Sequence, residues 1–149
     1  MADAQTTTDD AARDKAQRSI QITGCSSGIG YASAHGLKQR GWRVFATCRN
    51  AADCERLRGE GLEAFVLDYQ NMDSIAAGAE EALSRTGGRL DALFNNGAFA
   101  SPGAVEDLPT DAFREIFEAN FFGWHDLTRR ELPTMRAQGH GRIVQTSSD

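Results

Sequence analysis

The sequence predicts an α/β protein with a doubly wound parallel sheet, and three observations carry that prediction. Short apolar segments alternate with longer segments of helical pattern along the chain. Crossovers between parallel strands are right-handed, so this alternation places helices on both faces of one sheet. The length of 149 residues suits a single domain with a sizeable core.

The individual elements follow from this alternation. Strands are predicted at residues 19–23, 43–47, 62–67, 90–94 and 142–146. Helices are predicted at residues 29–40, 52–58, about 72–85 and about 110–138. Gly41 can end the first helix in a left-handed conformation, while Asn71 and Thr110 can cap the third and fourth helices. An apolar stripe of the fourth helix is expected to face the core: Phe113, Ile116, Phe117, Phe121, Trp124 and Leu127.

The composition bounds what the chain can do. Residues 1–18 are polar and acidic, and we expect a mobile tail without the pattern of a signal or transit peptide, followed by a domain over residues 19–149. The net charge of −5 argues against a nucleic-acid partner, and no apolar run is long enough to span a membrane. The odd number of cysteines (Cys25, Cys48 and Cys54) favours free thiols in the cytoplasm and no metal site.

The most informative segment is a glycine-rich turn, residues 23–30, between the first strand and the first helix. Gly24 suits a tight turn, Gly28 a close approach of the backbone to a ligand, and Gly30 close packing of the helix on the sheet. Free N–H groups at the helix start favour an anionic group such as a pyrophosphate. The candidate contacts are Gly24, Ser26, Ser27, Gly28, Ile29 and Gly30. The alternative is an ordinary strand-to-helix connection, while the Lys-Ser/Thr of a P-loop is absent.

Two motifs give a family resemblance. Residues 23–30 resemble the TGxxxGxG cofactor loop of the short-chain dehydrogenase/reductase superfamily. Asn95-Asn96-Gly97-Ala98 resembles the family's Asn-Asn-Ala-Gly turn, with the last two residues exchanged. The resemblance implies a Rossmann-like sheet that binds NAD(P), with Asn95 and Gly97 beside the cofactor. It also implies an oxidoreductase that transfers hydride between the cofactor and a small alcohol or carbonyl substrate. A methyltransferase or a nucleotide-sugar epimerase fits the glycine spacing less well.

The residues after the second and third strands bear on the choice of cofactor. An acidic residue after the second strand favours NAD, whereas an Arg accommodates the 2′-phosphate of NADP. Here Cys48 takes the position of the acid and Arg49 follows, so NADP is favoured over NAD. A solvated surface charge is the alternative role for Arg49. In the family, an Asp at the position of Asp68 hydrogen-bonds the adenine amine, and the alternative is a turn-capping Asp.

Two residues match catalytic positions of the family. Asn120 lies on or beside the apolar stripe of the fourth helix and resembles the Asn that helps to hold a proton-relay water; a satisfied core Asn is the alternative. Ser148, after the fifth strand, best matches the Ser that hydrogen-bonds the substrate carbonyl, with Ser147 as the alternative.

The family also uses a Tyr followed by a Lys four positions later, and this sequence contains no such pair. The two tyrosines, Tyr31 and Tyr69, are followed at that spacing by His35 and Asp73. We therefore expect a Rossmann-like domain truncated after the fifth strand and inactive alone. The alternative function is dinucleotide binding without catalysis. The resemblance implies a homo-oligomer for the parent protein.

Overall fold

The computed structural model describes residues 17–147, so residues 1–16 of the predicted tail, Ser148 and Asp149 lie outside the described part. Five parallel strands pair in the order β3-β2-β1-β4-β5. The strands are β1 (Ser19–Ile22), β2 (Arg43–Cys48), β3 (Glu63–Val66), β4 (Ala92–Asn95) and β5 (Arg142–Gln145). This order reverses direction at β1, which confirms the predicted doubly wound sheet.

Five α-helices connect the strands: α1 (Gly28–Gln39), α2 (Ala51–Gly59), α3 (Met72–Arg85), α4 (Thr110–Phe117) and α5 (Gly123–Gln138). The Asn71 carboxamide accepts hydrogen bonds from the backbone N–H groups of Asp73 and Ser74, so the predicted cap of α3 is confirmed. Gly41 has φ +87° after α1, as predicted. None of the helices in residues 17–147 is long and apolar enough to cross a membrane.

The predicted helix over residues 110–138 is wrong in two details. Pro109 precedes α4 and Thr110 is its first residue, without a side-chain cap bond. A π-helical segment (Glu118–Phe122) then separates α4 from α5. A single i to i+5 turn of this kind shifts the face that the following helix presents. Periodicity over the whole span therefore could not identify the buried side of both helices.

The face of this helical region that packs against the sheet matches the predicted apolar stripe only in its second half, where Leu127 is buried and Trp124 packs against the core. Phe113, Phe117 and Phe121 are 38%, 55% and 60% exposed. The buried positions instead recur every four residues: Ala119, Gly123, Leu127, Glu131 and Met135. Small residues at the start of this series let the backbone approach the protein interior closely, which leaves the aromatic rings outside.

The sheet separates two apolar cores. One core lies under α1 and α2 and includes Ile22 and Leu57. The other lies under α3 and α5 and includes Ile75, Leu93 and Leu127. Because the central strands are covered on both faces, the carboxyl ends of the strands form the edge at which loops can build a site.

Two polar side chains are enclosed in the second core. Gln21 pairs in register with Phe45 and Leu93, which belong to that core. Glu131 lies on the buried side of α5, and burial raises its pKa to about 8. Within residues 17–147 neither side chain has a hydrogen-bond partner. An unpaired buried carboxylate is costly, so Glu131 is held in its neutral form near neutral pH.

The end of the sheet opposite the carboxyl edge is fixed by a buried acid. Asp91 accepts hydrogen bonds from the Ser19 backbone N–H at 2.8 Å and pairs with His140 at 2.8 Å. Contacts with the domain begin before β1, since the Gln17 side chain donates to the Gly41 carbonyl and the Arg18 guanidinium lies 4.5 Å from the centre of the Trp42 ring.

Candidate functional site

A cleft of about 310 Å³ lies at the carboxyl ends of β1 to β4. Its walls are formed by residues 23, 24, 26 and 27 of the glycine turn, Arg49 after β2, residues 67–70 after β3, residues 96–99 after β4, and Ala119. Four consecutive strand-to-helix connections thus contribute to one concave surface. This is the position at which open α/β sheets bind ligands.

The glycine turn is shaped by close contacts that a side chain would block. Gly24 has φ +67°, and a Cβ atom there would lie 2.6 Å from the Gly97 Cα. A Cβ atom at Gly30 would overlap the Gly24 carbonyl oxygen. Gly28 has φ +59° with open space around it. Gly24 and Gly30 are therefore required for packing, whereas Gly28 leaves the backbone accessible at the start of α1.

Cys25 anchors the turn beneath the cleft. Its backbone N–H donates to the Thr47 carbonyl at 3.0 Å, and its Sγ donates to the Ile22 carbonyl at 3.2 Å. Burial raises the pKa of this thiol to about 12, so it stays protonated. Ser26 and Ser27 follow on the open side and line the cleft, while Ile29 is 60% exposed. The first N–H groups of α1 have no intrahelical partner.

A free positive charge lies at one end of the cleft. Arg49 is exposed and belongs to none of the ion pairs formed among residues 17–147. Cys48, before it, is buried, and burial raises its thiol pKa to about 12. Nearby, the Arg56 guanidinium donates to the Ser26 carbonyl at 2.6 Å and pairs with Glu60 at 3.0 Å. Arg49 is thus the guanidinium left available at this end, and Arg56 holds the turn.

Asp68 lines the cleft and also caps a turn. Its Oδ1 accepts the Gln70 backbone N–H at 3.0 Å, and its own N–H donates to Ser74 Oγ at 2.9 Å. The side chain is half-buried. The two roles considered for this residue are therefore compatible, because one carboxylate oxygen closes the turn while the carboxylate lies on the cleft wall.

The two asparagines after β4 have different surroundings. Asn95 is fully buried, and its Nδ2 donates to Thr128 Oγ1 at 3.0 Å. Asn96 lines the cleft, and its Nδ2 donates to the Thr23 carbonyl at 3.2 Å. Gly97 also lines the cleft. Of the predicted contacts after β4, Gly97 therefore lies on the cleft wall and the Asn95 side chain lies behind it.

Tyr69 is a site residue that the sequence analysis did not select. Its hydroxyl donates to Asn95 Oδ1 at 2.5 Å and contacts Thr23 Oγ1 at 2.8 Å. The ring lines the cleft but is only 7% exposed, and burial raises the pKa of the phenol. The only signal available in the sequence was its position next to Asp68, directly after a strand.

Asn120 lies in the π-helical segment and holds the loop after β4. Its Oδ1 accepts the Phe99 backbone N–H at 3.1 Å, and its Nδ2 donates to the Phe99 carbonyl at 2.8 Å. The neighbouring Ala119 lines the cleft. The amide is thus satisfied by backbone, and it fixes the cleft wall from the side of the helix.

The predicted serines follow β5 in the sequence. Ser147 is exposed, whereas Ser148 falls outside the described residues. Just before them, Thr146 Oγ1 donates to Asn96 Oδ1 at 3.0 Å. The segment after β5 therefore begins beside the cleft. No cluster of three or more His, Cys, Asp or Glu residues suited to a metal occurs between residues 17 and 147.

Comparison with known proteins follows the same division of elements. The family model described as short chain dehydrogenase matches residues 18–149. The chain belongs to this family. An uncharacterized oxidoreductase of Escherichia coli strain K12, YbbO, is 42% identical to this short-chain dehydrogenase chain over 132 residues, which make up 89% of this chain and 49% of YbbO.

Two solved structures are similar in fold. A short-chain dehydrogenase from Streptomyces avermitilis has a TM-score of 0.84 and 34% identity, over 90% of this chain and 50% of that one. A variant of actinorhodin polyketide ketoreductase, solved with NADPH, has a TM-score of 0.80 and 30% identity, over 89% of this chain and 53% of that one. The chain spans about half the length of the proteins it matches.

Proposed function

We propose that this chain binds NADP(H) in the cleft at the carboxyl edge of its sheet, as part of an oxidoreductase that acts on an alcohol or carbonyl substrate. The observation that carries the proposal is the pairing of an open glycine turn with an unpaired guanidinium, Arg49, on the same cleft. The similar ketoreductase solved with NADPH supports the same cofactor.

The residues present fit a dinucleotide. The close contacts of Gly24 and Gly30 hold the turn against the loop after β4, and the space around Gly28 at the start of α1 is open. There the backbone N–H groups and the hydroxyls of Ser26 and Ser27 would bind the pyrophosphate. Arg49 would bind the 2′-phosphate, which selects NADP over NAD. Asp68 would bind the adenine end.

When bound, the nicotinamide would supply the hydride chemistry. The chain's own contribution on that side is to shape the wall that receives the ring. Asn120 holds the Phe99 backbone, and Trp124 Nε1 donates to the Gly97 carbonyl at 2.7 Å, so the loop after β4 is fixed at both ends. We assign the roles of proton-relay Asn to Asn120 and of carbonyl-binding Ser to Ser148 on the family resemblance.

Binding without turnover is the expected behaviour of the 149-residue chain itself. The general acid in this family is a Tyr assisted by a Lys, and neither tyrosine here has that partner. Tyr69 is also buried, and burial raises the pKa of its phenol, which makes it a poor proton donor and leaves no phenolate to act as a base near neutral pH. Measurable turnover of any carbonyl by this chain with NADPH would contradict this expectation.

A fluorescence titration tests the proposed function. NADPH should bind saturably and S-adenosylmethionine should not, because the turn and Arg49 are arranged for a pyrophosphate and a phosphate. Binding of S-adenosylmethionine, or no binding of NADPH by folded protein, would overturn the proposal. For the parent protein we propose a cytoplasmic location, in keeping with three free thiols, Cys25, Cys48 and Cys54. On the family resemblance we also propose that the parent protein is a homo-oligomer.

A further inference from the structure

The buried tyrosine beside the cleft is not used by any role assigned above. Tyr69 lies between the two loops that would contact the cofactor. It touches the glycine turn through Thr23 and the β4 turn through Asn95. A phenol with no catalytic partner that nevertheless makes two buried hydrogen bonds needs another explanation.

The hydrogen bonds around the phenol form one directed network. The Tyr69 proton goes to Asn95 Oδ1, so Thr23 must donate in the contact between the two hydroxyls. Thr23 Oγ1 in turn accepts the backbone N–H groups of Asn96 at 2.9 Å and Gly97 at 3.0 Å. Every polar atom in this network has a partner, which makes its geometry specific.

The ring of Tyr69 packs closely against two neighbours that lack side chains. A Cβ atom at Gly97 would lie 3.2 Å from the Tyr69 Cε2 and 3.1 Å from the Gly24 backbone N, and one at Gly123 would lie 2.7 Å from the Tyr69 Cβ. The Trp124 ring packs beside it at 6.4 Å between ring centres. Gly97 has no positive φ, so its backbone does not demand glycine. Space for the ring is therefore a reason for glycine at this position.

We propose that Tyr69 is a positioning residue that fixes the glycine turn against the turn after β4, and that Gly97 is its complementary partner. The exchange of Ala and Gly in Asn95-Asn96-Gly97-Ala98 is then a consequence of the large ring at position 69. The effect of this pair on NADPH rests on the proposed function, whereas the fit of ring to glycine does not.

The first experiment measures NADPH affinity of the full chain. Tyr69→Phe keeps the ring and removes the hydroxyl, leaving Asn95 without its donor. Because the hydroxyl makes both buried hydrogen bonds, we expect the Kd for NADPH to rise about 3- to 10-fold. The control, Thr47→Val, removes another buried hydroxyl, which donates to the Ile22 carbonyl. It should lower Tm and change the Kd less than about 2-fold.

Equal Kd values for Tyr69→Phe and the unmodified chain would overturn the positioning role. The same holds if Thr47→Val weakens NADPH as much as Tyr69→Phe, because the effect would then follow stability alone. Failure of the unmodified chain to bind NADPH would overturn the proposed function together with the role of Tyr69 in it, and the second experiment would still decide the pairing with Gly97.

The second experiment is a thermal double-mutant cycle without cofactor. Gly97→Ala should lower Tm clearly in the unmodified background, because its methyl group meets both the Tyr69 ring and the Gly24 backbone. In the Tyr69→Leu background, the same change should lower Tm by clearly less, because only the contact with Gly24 remains. Additive effects of the two substitutions on Tm would overturn the proposed complementarity.

Discussion

At the scale of single residues, the cleft combines one exposed, charged side chain with buried, neutral thiols. Arg49 is exposed and unpaired among the described ion pairs, whereas Cys25 and Cys48 beneath it are buried thiols with pKa values raised to about 12 by burial. The thiols pack the floor and the guanidinium remains for a ligand. The charge at this end of the site therefore depends on one side chain.

Arg49→Ala tests that dependence. A guanidinium bonded to the 2′-phosphate contributes about 1.5–3 kcal/mol, so the Kd for NADPH should rise about tenfold or more. NADH lacks that phosphate, and its Kd should change by less than about twofold. Titration of both nucleotides is the measurement, with Arg114→Ala, an exposed arginine on α4, as the control. Equal losses for NADPH and NADH would exclude the assigned contact.

Glu131 allows a second prediction at this scale, on stability. Its pKa is raised by burial from 4.5 to about 8, so the folded chain binds this proton more tightly than the unfolded chain. The stabilisation linked to this proton is therefore complete at low pH and is lost as the pH rises from about 4.5 to about 8. Glu131→Gln removes the titration, and by pH 9 the variant should be more stable by up to roughly 5 kcal/mol.

Urea unfolding at pH 5 and pH 9 measures this difference. The two chains should have similar stability at pH 5, where the buried carboxyl is neutral. Glu115→Gln, on the exposed side of α4, is the control and should follow the unmodified chain at both pH values. If the Glu131→Gln variant lost as much stability between pH 5 and pH 9 as the unmodified chain, titration of Glu131 would not be the cause of the pH dependence.

At the scale of elements, the alternating pattern was sufficient to predict the sheet and its connections. The doubly wound parallel sheet is confirmed because the apolar runs, Gly41 and the Asn71 cap that mark its elements are local signals. The buried face of the predicted fourth helix, residues 110–138, could not be predicted in the same way. An apolar period marks which residues share a face, but at the start of this face the contact with the interior is made by Ala119 and Gly123. Their small size allows that contact, and a search for apolar periodicity does not detect it. The partners of Tyr69 were likewise hidden, since they are distant in sequence.

The close contact at the start of α5 gives a prediction at this scale. A Cβ atom on Gly123 would lie 2.7 Å from the Tyr69 carbonyl oxygen, which is backbone and cannot turn away. Gly123→Ala should therefore destabilise the fold by about 1–3 kcal/mol, as overpacking does. The control is Gly59→Ala, at the end of α2 with no atom within 4 Å of the added methyl.

Chemical denaturation separates the two glycines. Gly59→Ala should be neutral or stabilise by up to about 1 kcal/mol through helix propensity. If Gly123→Ala were as stable as Gly59→Ala, the close contact of Gly123 with Tyr69 would not determine the position of α5 against the loop after β3.

At the scale of the whole molecule, the described residues present a cluster of exposed aromatic rings in addition to the cleft. The carboxyl edge of the sheet collects the cleft residues. Another surface carries Phe117, Phe121 and Phe122, which are 55%, 60% and 53% exposed and pack on one another with ring centres 6.3 and 5.3 Å apart. The edge strand β5 adds Ile143 and Val144 at 37% and 49% exposure. Exposed aromatic clusters and unpaired strand edges both favour association.

We therefore expect the chain to self-associate with increasing concentration, and the aromatic cluster to contribute to it. Phe121→Glu places a charge at the centre of that cluster and should lower the apparent mass in sedimentation velocity runs at high concentration. Met72→Glu is the control, because Met72 is 61% exposed but stands apart at the start of α3. It should leave association unchanged. A monodisperse monomer across the concentration range would contradict the expectation, and an equal effect of both variants would assign association to net charge rather than to the aromatic surface.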